Sequence, residues 1–489
     1  MTQAAMRPEA PRLEGSKPAP RSAAEPRPGR QPASGSTAAA GAWPGRPPGL
    51  PGAVPPPSVP LAFLAAASLG LAACGAAWVW ARGWAGSDPS ADPVVAAVHL
   101  GVLATLATGV LGAVHQFTPV ITGRPLRSVI LARMVFVTWL GASWLLPFGL
   151  ATEQVAVTAV SGALAGLSIV LLAVNLAAPL SVRGKGTPVT ALRLGLAGAV
   201  ATSFLGVAFV GDRQGGWFVL SGHVDLAMGV LGLFGWLGLT YVGVAEKLWP
   251  MFLLAHLPGR HRSGRVAVWC LAGGVALASP ALAWSADGLA WVGGAVAAVG
   301  LGAHLVSLAV HVRHRRRAVD LHLVFVLTAA AWVPVGVGLA LAAALVVPRH
   351  HHVGVALAAA ALAAFGAWLL EALVGHAHKV VPFILWSALR SRGVATDPTG
   401  RPLLFADLYD HRWAAAAYGT LTCGVAALCA GLGASAPPLV AAGGVLFVAT
   451  GLIVGANLSL VPVRLLGRAA ASARMPAAGP GTGTEGIVS

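Results

Sequence analysis

One eight-residue pattern occurs three times: GAVHQFTP at 112–119, GVAEKLWP at 243–250 and GHAHKVVP at 375–382. In each copy a glycine leads by seven residues a proline that is expected to end a long apolar run. The glycines, Gly112, Gly243 and Gly375, are 131 and 132 residues apart. A period that constant, in a chain without a low-complexity core, means that one structural unit is repeated.

The nature of the unit follows from hydropathy. Mean hydropathy is +0.76 over 489 residues, with 56% hydrophobic and 10% charged residues, far too apolar for a water-soluble protein of two or three domains. Windows of about 20 apolar residues, the length that crosses a bilayer core, can be laid down twelve times. They fall near 60–84, 93–121, 127–151, 155–182, 189–211, 217–245, 266–285, 288–312, 321–347, 352–386, 412–434 and 437–465. The expected fold is an all-α polytopic membrane protein.

A net charge of +16 could suggest a nucleic-acid partner, but its distribution argues for a membrane topology instead. With the N-terminus in the cytoplasm, all 32 Lys and Arg except Arg82, Arg213 and Arg349 fall on the cytoplasmic side. The run Arg313, Arg315, Arg316, Arg317 is then a topology signal. The four cysteines, Cys74, Cys270, Cys423 and Cys429, lie within spans without a C-x-x-C and read as small buried hydrophobes.

Twelve spans divided by three copies give four spans per unit, about 60–190, 190–320 and 320–466. The motif then closes the second span of each. A weaker echo, Asn175-Leu, His304-Leu and Asn457-Leu, stands in the fourth span of each unit. An even number of spans lets all units enter from one side, so pseudo-threefold symmetry about an axis along the membrane normal is expected. The membrane domain is placed at 59–466. Residues 1–58, rich in Pro, Ala and Arg, and residues 467–489 are expected to be disordered cytoplasmic tails.

Span 2 reads HLGVLATLATGVLGAVHQFTP and span 6 reads VLGLFGWLGLTYVGVAEKLWP. The positions His99, Gly101, Leu103, Gly112, Ala113 and Pro119, with Trp236 in span 6, resemble the haem-ligating helix pattern of haem-copper oxidase catalytic subunits (subunit I) and of nitric oxide reductase large subunits. Twelve helices in three four-helix units is also the plan of that superfamily. The resemblance implies a cytochrome c oxidase subunit I-like oxidoreductase in a bacterial-type plasma membrane, with both termini cytoplasmic and haem b held by His99. A cytochrome or another respiratory subunit would be its partner in electron transport.

The chain departs from the superfamily at the copper centre. Span 7 has no histidine, Leu362 occupies the depth of the expected H-x-H on span 10, and Val230 takes the position on span 6 equivalent to His99. An oxygen-reducing copper centre is therefore not expected, and a divergent, degenerate member is. A second axial ligand would come from His352 or His223, and Gly101 would leave room for a porphyrin edge.

A second cluster lies at the inner ends. His115, Glu246 and His378 each stand four residues before the motif proline, followed by Gln116, Lys247 and Lys379. If they face one another near the axis, two imidazoles and a carboxylate form a candidate metal site; if not, they are polar residues near an interface. Glu371, two turns before His378, extends that line towards mid-membrane as a candidate proton path. The functions left open are a haem-binding redox protein, a cofactor-free transporter or assembly factor moving protons, metal ions or a small solute, and a structural membrane subunit.

Overall fold

In bilayer hydrocarbon a backbone N–H or C=O without a partner costs several kcal/mol, so an apolar chain of this composition has to be helical throughout its spans. The computed structural model describes residues 54–86, 88, 90–184, 186–213, 216, 223–256, 262–397 and 400–472. The chain divides into Met1–Pro48 and Gly49–Ser489, and all that follows concerns the second unit. The tail expected at 1–58 lies outside the described residues up to 53. Of the tail expected at 467–489, the last helix includes the first part, to Ser472, and the rest lies outside them.

Twelve helices among the described residues are long and apolar enough to cross a membrane: α1 (Ser58–Ala81), α2 (Asp92–Thr122), α3 (Val129–Ala151), α4 (Val155–Leu180), α5 (Gly186–Asp212), α6 (Val224–Leu253), α7 (Ser263–Ala283), α8 (Asp287–Arg313), α9 (Leu321–Val346), α10 (His351–Ser391), α11 (His411–Gly433) and α12 (Pro437–Ser459). The protein is thus an all-helical, multi-pass membrane protein in contact with a lipid bilayer. Eleven starts fall within three residues of the sequence expectation. The exception is α6, which begins at Val224 rather than 217.

Successive helices pack as hairpins, α1 also packs along α12, and α2, α6 and α10 meet one another pairwise. These three carry the motif, and α6 is the most buried span of all.

The motif glycine is a contact point. A Cβ on Gly112 would lie 2.6 Å from Phe63 Cβ and 3.2 Å from Pro60 O of α1; on Gly243, 2.6 Å from Ala191 Cβ and 3.1 Å from Pro188 O of α5. On Gly375 it would collide with Phe325 of α9. Each motif helix is therefore pressed against the helix that precedes it, at one matching place.

The motif proline does not end its helix, as the expected spans 93–121 and 352–386 imply, though the one at 217–245 stops short. α2 continues to Thr122, α6 to Leu253 and α10 to Ser391. Proline has no N–H, so the carbonyl four residues earlier loses its helical donor. That carbonyl belongs to His115, Glu246 and His378 in turn.

Two features recur at the same offsets. Leu100–Ala107 of α2 and Leu231–Gly238 of α6 are π-helical, each element starting 131 residues from the other. The widened turn pushes a carbonyl outward, and a glycine on the preceding helix receives it: Gly70 lies against Ala104 O, and Gly198 against Gly235 O. On α9 the residue seven after Phe325, as Gly70 is seven after Phe63, is Trp332, and α10 has no π-segment. The α3–α4, α7–α8 and α11–α12 turns also match. Glu153, Ser285 and Ser435 have φ of 53°, 54° and 50°. The next residue's N–H bonds back to Gly149 O, Ala281 O and Gly431 O at 2.9, 2.7 and 2.8 Å.

The asparagine echo also has a physical basis. Asn175 Oδ1 accepts from Ser128 N at 2.9 Å, and Asn457 Oδ1 from Asp410 N at 2.7 Å, pinning the residues that cap α3 and α11. His304 instead packs between Trp249 and Tyr241, with ring centroids at 4.8 and 5.4 Å.

Gly112→Ala, Gly243→Ala and Gly375→Ala are expected to destabilise the detergent-solubilised protein by about 1–3 kcal/mol each through overpacking. Gly302→Ala, whose added Cβ meets nothing within 4 Å, is expected to leave the thermal unfolding midpoint unchanged.

Candidate functional site: a polar file between α9, α10 and α11

The segment leading into α9 carries Arg313, Arg315, Arg316 and Arg317. Asp320 caps α9, accepting from Leu323 N at 3.1 Å, and its other oxygen takes the Lys379 ammonium of α10. From this pair a file of polar groups runs inward. Helical spacing sets it up: Phe325, Thr328 and Trp332 share a face of α9, Glu371 and His378 a face of α10, and Tyr418 and Thr422 a face of α11.

His378 is buried and stacked on Phe325, centroids 5.7 Å apart and 15° from parallel. Its Nδ1 bonds to Val374 O at 2.9 Å, and among the described residues Nε2 has no partner. The Tyr409 ring is 6.0 Å from it and 4.5 Å from His411. Tyr409 lies outside the spans; burial pushes its phenol above the usual range, and the Asp320 carboxylate adds to the shift. Further in, Thr328 Oγ1 and Tyr418 OH share a hydrogen bond of 2.9 Å.

One turn deeper the file ends at Glu371. This residue is completely buried, eight residues, or about 12 Å of helix, inward of Lys379. Trp332 Nε1 donates to Glu371 Oε1 at 3.2 Å. Thr422 of α11 lies beside the carboxyl group, and Oε2 has no hydrogen-bond partner among the described residues. An uncompensated carboxylate at that depth is costly, which makes the residue a functional candidate by default.

The three motif residues, which would form a metal site only if they faced one another, are not brought together. His115 stacks on Phe63 at 5.5 Å, inside the α1–α3 packing. Glu246 accepts from Ser307 Oγ at 2.6 Å and lies over Gly264. His378 faces Phe325 and Tyr409. Each points towards helices next to its own, and among the described residues no three His, Cys, Asp or Glu side chains form a group able to hold a metal ion. Lys247 is exposed, and Gln116 is buried with Oε1 unpartnered among the described residues.

His99 ends the first α-helical turns of α2, directly before the π-segment, and is half-buried. Its Nδ1 bonds to Val95 O at 2.7 Å. A backbone carbonyl thus orients the ring from its Nδ1 side. The side of α2 at Gly101 does not fit a porphyrin edge: a Cβ there would lie 3.1 Å from Cys74 Sγ of α1. His352 and His223, the candidate second ligands, are both exposed, His352 at the start of α10 beside His351 and His223 just before α6. Among the described residues no ring contact or hydrogen bond joins either to His99.

Several residues of the file were not singled out in the sequence: Asp320, Thr328, Trp332, Tyr418 and Thr422. Asp320 carries a signal, an aspartate directly before the apolar run LHLVFVL. No local pattern marks the others.

No protein family and no curated protein matches this chain.

Replacing Asp320 with Asn removes the negative charge that disfavours the Tyr409 phenolate. The Tyr409 transition in an ultraviolet pH titration, isolated by subtracting a Tyr409→Phe variant, is expected to move to lower pH.

Proposed function

We propose that the chain is a proton-carrying integral membrane protein of haem-copper oxidase catalytic-subunit architecture. It is built from three four-helix repeats about an axis along the membrane normal, with the basic end in the cytoplasm of a bacterial-type cell. The matched turns at Glu153, Ser285 and Ser435, the three glycine contacts and the paired π-segments support the repeats. The proton route lies in the third repeat, from the Asp320–Lys379 pair past His378 and the Thr328–Tyr418 hydroxyls to Glu371.

The observation that carries the proton route is Glu371 itself, fully buried, held by an indole N–H and reached by a file of side chains that can give and take protons. The third repeat is also where the pattern of the other two is broken. Trp332 takes the position corresponding to Gly70 and Gly198, and it is Trp332 that binds the carboxyl group. This supports a specialised third repeat around scaffold-like first and second ones.

In proteoliposomes with a potassium diffusion potential clamped by valinomycin, an internal pH dye is expected to report proton movement in the wild type. Glu371→Gln is expected to reduce it to the level of empty vesicles. Tyr418→Phe is expected to slow it by about tenfold, equivalent to ~1.4 kcal/mol for one hydrogen bond. Movement unchanged in Glu371→Gln would remove the proposal.

A second function, haem b binding, rests on the resemblance of the His99 helix to a haem-ligating helix; bound haem would supply one-electron redox chemistry. A pyridine haemochrome assay on purified protein is then expected to give stoichiometric haem that His99→Ala removes; colourless protein would exclude it.

A further inference from the structure

A second group of histidines lies where α6, α9 and α10 meet, on the other side of α10 from the Glu371 file. His322 of α9 and His376 of α10 have ring centroids 4.8 Å apart at 90°. Phe252 of α6 is 5.3 and 6.3 Å from the two rings, and Tyr241 is 6.0 Å from His376. His322 is buried, 6% exposed. The Nε2 atoms of both rings are shielded and have no hydrogen-bond partner among the described residues.

The tautomers are set from the opposite side of each ring. His376 Nδ1 bonds to Ala372 O at 2.6 Å, which takes the proton to Nδ1 and leaves the lone pair on Nε2. His322 Nδ1 faces Asp320 Oδ1 at 3.8 Å, which favours the same tautomer. A carbonyl or carboxylate behind Nδ1 is the usual outer support of a metal-ligating histidine. Neither buried Nε2 lone pair then meets a donor among the described residues, and an electrophile within reach of both rings would satisfy both.

We propose that His322 and His376 bind one monovalent d10 cation, Cu⁺, in two-coordinate geometry. Imidazole nitrogen suits copper. The number of ligands and the local charge select the monovalent ion. No third His, Cys, Asp or Glu side chain closes on the pair among the described residues. The charged groups beside it, Asp320 and Lys379, already neutralise each other, and His378 is a further imidazole nearby. A divalent ion would bring a second unbalanced charge into an aromatic pocket, where burying charge is expensive. His322, held less tightly than His376, is the ring that turns to complete the site. It is distinct in position from the copper centre of the oxidases, whose histidines this chain lacks, and it does not rest on the proton route.

The test uses full-length protein in detergent micelles, with Cys270 and Cys423 alkylated, titrated anaerobically with Cu⁺ against a chromophoric chelator. One Cu⁺ per chain is expected, with two nitrogen scatterers and no sulfur in the copper K-edge absorption spectrum. His322→Phe and His376→Phe are each expected to weaken binding by at least about tenfold. His376→Gln serves if the phenylalanine variant fails to fold. His115→Phe, at a buried imidazole with the same Nδ1 bond to a carbonyl, is expected to bind as wild type. Sulfur ligation, absence of uptake by the wild type, or unchanged affinity in the His322 and His376 variants would overturn the proposal.

Discussion

The structure depends on satisfying the backbone inside a bilayer while keeping helices close enough to bury their few polar groups. Lipid supplies no hydrogen bonds, so each span must be helical, and lipid is as apolar as leucine, so spans associate only where backbones can approach. Gly112, Gly243 and Gly375 meet the second need, each pressed by the helix before it. The rule on backbone bonds is relaxed in matched places: at the motif prolines, and in the π-segments of α2 and α6, where a displaced carbonyl rests on Gly70 or Gly198. Thr105 and Thr108 return hydroxyls to the Leu100 and Leu103 carbonyls at 3.2 and 2.8 Å, and Trp139 of α3 donates to Thr108. The loosened backbone is thereby reclaimed by side chains.

The third group of four helices treats the same position differently. Trp332 stands where a glycine would receive a bulged carbonyl, and α10 runs without a π-segment for 41 residues. An indole cannot fit against a protruding backbone oxygen, so the bulge and the tryptophan exclude each other. In exchange the indole N–H reaches Glu371. One substitution thus accounts both for the regular helix and for a carboxyl group at mid-helix. The loop after α10 is longer and partly packed: Leu389, Leu403 and Leu408 form their own cluster, and Trp386 donates to Leu403 O at 2.7 Å. It also brings Tyr409 to the outer end of the polar file.

Histidine placement follows a common local rule with different outcomes. His99, His115, His311, His376 and His378 all bond Nδ1 to the carbonyl four residues back. The rule follows from helix geometry and says nothing about function. What differs is what faces the ring: phenylalanine for His115, phenylalanine and tyrosine for His378, another imidazole for His376. The likeness of His99 to an axial ligand has the same limit, and Cys74 against Gly101 closes the face that the sequence suggested for a porphyrin.

Hydropathy and repeat spacing by themselves determined that the chain is helical, where nearly all its spans begin, and which glycines recur, because burial in lipid imposes one length and one secondary structure on every crossing. Glu371 was also legible, since a carboxylate inside an apolar run is conspicuous on composition alone. The neighbours of each polar residue were decided only by the tertiary structure. His115, Glu246 and His378 share a place in the motif but face three different sets of helices, and His322 and His376 are 54 residues apart in the chain. Position along a helix is a local property, fixed by counting residues. The direction a side chain faces, and what meets it there, depends on how helices distant in sequence rotate and pack, and proline, π-turns and a single Trp332 reset that rotation in ways no short pattern records.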